Sequence, residues 1–134
     1  MKIHHIAIWT KDIENMKNFY VKYFGFNANN KYSNAAYLFE SYCLEFSDGA
    51  KLELMKMPSV PGNKNDIYKQ YTGLIHFAIS AGSKENVKAL TEKLRTDGYE
   101  IVSEPEETGD GFFESCILDP EKNRIEITYV INQV

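Results

Sequence analysis

From Ile3 to Trp9, apolar and other side chains alternate along the chain, as they do in a strand with one face against a core. The period then changes. Ile13, Met16, Tyr20 and Tyr23 recur at the spacing of one helix face, Asp12 stands where an N-cap belongs, and Gly25 stands where a helix closes in the left-handed conformation. A strand near Phe26 to Lys31 is expected next, followed by a loop rich in Asn and Ser. Ser41 to Phe46 and Ala50 to Lys56 flank Ser47-Asp48-Gly49, whose Asp-Gly pair is a strong hairpin signal. The first half therefore reads βαβββ.

Pro58, Pro61, Gly62, Asn63 and Asn65 interrupt this pattern and mark a connection, about 58–72, between a first module of about 1–57 and a second of about 73–134. The series then starts again. Gly73 to Ser80 is strand-like, Ser83 caps a helix carrying Val87, Leu90 and Leu94, and Gly98 ends it. Glu100 to Glu104, Phe112 to Leu118 and Arg124 to Val130 supply three further strands. His5-Ile-Ala-Ile8 aligns with His76-Phe-Ala-Ile79, Cys43 with Cys116, and Lys51-Leu-Glu-Leu54 with Arg124-Ile-Glu-Ile127. At 134 residues the chain has room for one core, so both modules belong to a single domain, 1–134, of the α+β class.

Parity along these strands sorts the side chains by face. Ile6, Ile8, Leu52, Leu54, Phe77, Ile79, Ile125 and Ile127 form faces for the two helices to cover, while His5, Glu53, His76 and Glu126 all point the other way. Buried imidazoles and carboxylates are costly unless paired or metal-bound, and the same His and Glu recur at matching positions in both halves. Two imidazoles and two carboxylates suit one divalent metal of the Zn, Ni, Co, Mn or Fe kind better than Ca, and the absence of thiolate ligands argues against a closed structural zinc site. Any one of these residues alone would be read as part of an ordinary strand surface.

Composition narrows the partners. Apolar residues make up 43% of the chain and charged residues 25%, as in a compact globular protein. The net charge of −4 and scattered lysines argue against nucleic acid. No apolar run reaches the roughly 18 residues of a membrane span, and the first strand follows Met1-Lys2 with no signal-like stretch, so a cytoplasmic protein is expected. Cys43 and Cys116 lack CxxC spacing and are expected to be free thiols packed as small hydrophobes. Glu104 to Gly111, acidic and glycine-rich, is expected to be a loop, solvated or acting as a lid. His4, of opposite parity to His5, is expected at the surface or behind the ligand.

The segments Ile3-His-His-Ile-Ala-Ile8 leading to Asp12, Lys51-Leu-Glu-Leu54, Gly73-Leu-Ile-His-Phe-Ala-Ile79 and Asp119-Pro-Glu-Lys-Asn-Arg-Ile-Glu-Ile127 resemble the vicinal oxygen chelate superfamily in its glyoxalase I-like branch, across essentially the whole chain. The resemblance implies a curved, mostly antiparallel sheet built around a metal cavity, and a homodimer. It implies that His5, Glu53, His76 and Glu126 are the metal ligands, with Glu126 and Glu53 also moving protons. The implied activity is that of a glyoxalase I-like lyase or isomerase acting on a small thiohemiacetal or α-hydroxycarbonyl through a metal-bound enediolate. Bacterial glyoxalase I usually carries an Arg four residues after the first His and an Asn four residues after the first ligand Glu, both contacting glutathione. Trp9 and Met57 stand there instead, which puts glutathione as the thiol in question, and Trp9 shares the parity of His5, where it lines the cavity or simply packs. An acyl-CoA epimerase similar to methylmalonyl-CoA epimerase and a non-catalytic drug-binding protein of the same superfamily are the alternatives. The first usually has Gln at the position of Glu53, and the second generally lacks the ligands.

Overall fold

The computed structural model describes residues 1–131, so the last three residues of the expected second module, 132–134, lie outside the described residues. The chain divides into two compact units, Met1–Lys64 and Asn65–Val134.

In the first unit, β1 (His5–Trp9), α1 (Ile13–Phe24), β2 (Asn27–Ala28), β3 (Tyr32–Asn34), β4 (Phe39–Glu45) and β5 (Lys51–Lys56) follow in order. The sheet runs β1-β5-β4-β2, with β3 also paired to β4. β1 and β5 are parallel and the other pairs antiparallel. The Asp12 side chain accepts from the Asn15 N–H, and Gly25 sits at φ 72 with its N–H donating to the Val21 carbonyl, so both predicted helix signals operate. Ile13, Met16, Phe19, Tyr20 and Tyr23 bury the helix face, and Leu44, Leu52 and Leu54 bury the sheet face.

The second unit repeats the plan with β6 (His76–Ser80), α2 (Lys84–Thr96), β7 (Ile101–Thr108), β8 (Phe112–Leu118) and β9 (Arg124–Val130), ordered β6-β9-β8-β7 in the sheet. β6 and β9 are parallel. Val87 and Leu94 are fully buried as predicted, but Leu90 is only half-buried and Thr91 takes the third inward place. The buried Thr91 hydroxyl donates to the Val87 carbonyl and lies 2.7 Å from Ser115 Oγ, so neither polar group is left bare.

Three boundaries differ from expectation. The strand expected near Phe26 to Lys31 is only the two residues of β2, while β3 forms inside the expected Asn- and Ser-rich loop, because β4 offers it a ready ladder. The segment expected as a loop or lid from Glu104 to Gly111 is largely strand: β7 runs to Thr108, leaving only a tight turn that closes at Gly111 with φ 98. Pro105 is tolerated because β7 is an edge strand whose register shifts between Ser103 and Glu106.

Candidate metal half-sites

Each unit pairs its first strand in parallel with its last, and each places a small residue opposite a glutamate: Ala7 opposite Glu53 and Ala78 opposite Glu126. The methyl group leaves room for the neighbouring imidazole to lean across. His5 Nε2 comes within 3.7 Å of Glu53 Oε2, and His76 Nε2 within 3.0 Å of Glu126 Oε2. Two metal–ligand bonds of about 2.1 Å at 90–109° hold their donors roughly 3.0–3.4 Å apart. The second pair has that spacing and the first needs only a small rotamer adjustment. Each pair therefore fits half of a mixed nitrogen and oxygen coordination shell.

Among the described residues no group of three or more His, Cys, Asp or Glu side chains is arranged to hold a metal ion; His5 is brought to Glu53 and His76 to Glu126, each pair within its own unit, and the four predicted ligands are not gathered into one cluster. The four side chains are also more open than the strand interiors expected from the sequence: His5 and His76 stand at the first positions of β1 and β6, and His5, Glu53, His76 and Glu126 are 47%, 31%, 38% and 20% exposed. The cost of burying bare polar groups thus falls mainly on Glu126. Burial pushes its carboxyl above the ordinary carboxylate range, His76 opposes this, and the charges of Glu114 and Asp110 add to it.

The surroundings tie the pairs down. His4 Nδ1 lies 2.8 Å from His5 Nδ1, with the two rings edge-on at 86°. A His5 that ligates through Nε2 must carry its proton on Nδ1, which makes His4 the acceptor. Near the start of β9, the buried Asp119 carboxylate accepts from the backbone N–H of Glu121 and Asn123 and from Asn123 Nδ2, all at 2.8–2.9 Å, and fixes the loop that leads into Glu126. Arg124 donates to the Ile67 carbonyl at 2.9 Å.

Both cysteines are free. Cys43 pairs across the ladder with Glu53 and Cys116 with Glu126, which puts each thiol on the same face of its sheet as the glutamate. Cys116 is buried as expected, and burial pushes its thiol up; Cys43 is only half-buried. Glu114 was not singled out in the sequence, yet it shares the face of Glu126, and Thr128 Oγ1 donates to its Oε2 at 3.1 Å. Extending strand parity from β9 to β8 would have found it.

A family model for the Glyoxalase/Bleomycin resistance protein/Dioxygenase superfamily matches residues 2–127. The uncharacterized protein YqjT of Bacillus subtilis (strain 168) is 24% identical over 131 residues, covering 93% of this chain and 96% of that protein. The crystal structure of a glyoxalase family protein from Enterococcus faecalis superposes with a TM-score of 0.74 at 24% identity, over 96% of this chain and 97% of that one. A glyoxalase I mutant from Zea mays superposes with a TM-score of 0.78 at 22% identity, over 98% of this chain and 45% of that one. Among the described residues no helix is long and apolar enough to cross a membrane.

Proposed function

Because the chain belongs to the Glyoxalase/Bleomycin resistance protein/Dioxygenase superfamily, we propose that it is a metal-dependent glyoxalase I-like lyase or isomerase. Its substrate is a small thiohemiacetal or α-hydroxycarbonyl, and its single divalent cation is held by His5, Glu53, His76 and Glu126. One observation carries the reading: at matching positions, both modules aim an imidazole nitrogen and a carboxylate oxygen at each other across adjacent parallel strands.

A bound Zn, Ni, Co, Mn or Fe ion supplies Lewis acidity toward the substrate's oxygens. The chain's own residues do the rest. His5 and His76 would hold the ion through their ring nitrogens. Glu126, the more enclosed of the two carboxylates, moves a proton between adjacent substrate carbons, and Glu53 is its counterpart on the first module. We place the protein in the cytoplasm, in keeping with its free thiols, and read it as a homodimer from its family membership.

The test is an assay of hemithioacetals formed from methylglyoxal and a panel of thiols, before and after chelation and metal re-addition. Turnover should vanish on chelation and return with one of these ions, and the glutathione adduct should be a poor substrate. Turnover indifferent to chelation would contradict the proposal, as would metal-loaded protein inert toward every thiol adduct and α-hydroxycarbonyl tried.

A further inference from the structure

We propose that the first module seats the non-reacting end of the substrate, and that this end is an uncharged aromatic group lying on Trp9, Met55 and Tyr32 with Phe39 beside them. The proposal rests on the reading of Glu53 as a site residue and extends it to the class of molecule the site accepts.

Strand register divides the ligand-bearing face of the first sheet into rows. His5, Lys51 and Glu45 lie toward one end; Ala7, Glu53 and Cys43 form the middle row; Trp9, Met55, Ser41 and Tyr32 form the third. Successive rows are two residues apart along each strand, about 7 Å. A molecule whose reacting carbons sit at Glu53 therefore extends onto the third row with no more than one ring's length between.

Two of that row's four residues are rings left open, and Phe39 stands against both. Trp9 and Phe39 meet edge-on with centroids 6.1 Å apart at 88°, and Tyr32 lies 6.1 Å from the same Phe39 ring at 59°. Trp9 is 43% exposed and Tyr32 54%. The duplicated module shows that the fold does not require this chemistry: the equivalent row of the second sheet is Ser80, Thr128, Glu114 and Glu106, polar throughout.

Charge fixes the kind of occupant. Among the described residues that these strands place on this face, Lys51 is the one cation; it lies two rows from Trp9 with Nζ held by Glu45 at 2.7 Å. No described residue that these strands set directly beside the rings carries a positive charge for a substrate carboxylate, whereas ring edges and faces at these angles accept a further ring in the offset or edge-on contacts aromatics prefer. A substrate with an aryl substituent meets both conditions.

Trp9 is the sole tryptophan, so its fluorescence reports occupancy of the row without reference to catalysis. The protein as purified is titrated with 2-hydroxyacetophenone and with hydroxyacetone, a pair differing only in phenyl for methyl. The phenyl compound should quench Trp9 saturably, with at least roughly tenfold tighter binding than the methyl compound, and Tyr32→Ser and Met55→Thr should each erode that preference several-fold. Both positions lie on the open face, and circular dichroism checks that the variants remain folded. Equal affinity for the two compounds overturns the proposal, as does a preference that survives both substitutions. A fluorescence change that follows protein concentration instead of ligand also overturns it, since a second copy would then cover the row. Aryl-dependent quenching in protein that binds no metal would leave this proposal standing while the metal reading falls. Metal-dependent turnover without aryl preference would do the reverse.

Discussion

His76 Nε2 lies 3.0 Å from Glu126 Oε2, while its counterpart His5 Nε2 lies 3.7 Å from Glu53 Oε2. The duplicated modules repeat the pairing but not its tightness. The second pair is the less exposed and has the donor spacing of a coordination shell already; the first is the looser, with its imidazole turned toward His4. That difference makes Glu126 the first of the two carboxylates to test for the proposed proton transfer.

Glu126→Gln keeps the side chain's shape and a ligand oxygen but removes its capacity to carry a proton. We expect turnover to fall by roughly 10²–10⁴-fold, the ordinary contribution of a positioned acid or base. Unfolding free energy should change by less than about 1 kcal/mol, the usual scale for a substitution that opens no cavity. Steady-state rates and thermal melting check both halves, and an unchanged rate would remove Glu126 from proton transfer.

His4→Phe keeps a ring against His5 but deletes the nitrogen facing His5 Nδ1. Groups that hold a ligating histidine in its tautomer are typically worth 10–100-fold in metal affinity. Competition against a chelator should therefore show roughly a tenfold or greater weakening in this variant. Unaltered affinity would make His4 an ordinary surface residue.

Glu14 predicts how stability depends on pH. Lys17 and then Lys31 hydrogen-bond its carboxylate, Tyr42 adds a further donor, and together they hold the carboxyl at about 2 instead of 4.5. A depressed carboxyl stabilises the fold fully above the unfolded value of 4.5, and that contribution disappears as pH falls through about 2. Solvent screens this network, since the Glu14 side chain is 48% exposed, so about 1 kcal/mol is a reasonable ceiling. Glu14→Gln should lower the urea midpoint at pH 6 and leave it nearly unchanged at pH 2. Equal losses at both would assign the residue a packing role.

The face on which each candidate residue lies was legible in the sequence because strand parity survives errors in strand length. His5, Glu53, His76 and Glu126 sit on the predicted side although β1 and β6 both begin later than the apolar pattern does. What parity could not supply was exposure, which depends on what covers the far face, so side chains expected to be buried are partly open. β3 is not legible in the sequence because Tyr32-Ser-Asn34 has no alternation of its own and becomes a strand through β4. The sequence pattern ends β7 at Glu104 because its acidic residues and Pro105 look like loop, although an edge strand tolerates both. The open row beside Glu53 is only half visible in the sequence, since parity places Trp9 while Tyr32 and Phe39 belong to a hairpin that the pattern does not show.

Metal content per chain, measured on reconstituted protein and on two double variants, bears most directly on the central claim. A site drawing two ligands from each module predicts one equivalent per chain, a melting temperature that falls on chelation, and the same loss of metal from His5→Ala/Glu53→Ala as from His76→Ala/Glu126→Ala. Two equivalents per chain, one for each His and Glu pair, would contradict it, as would a full equivalent retained by either double variant.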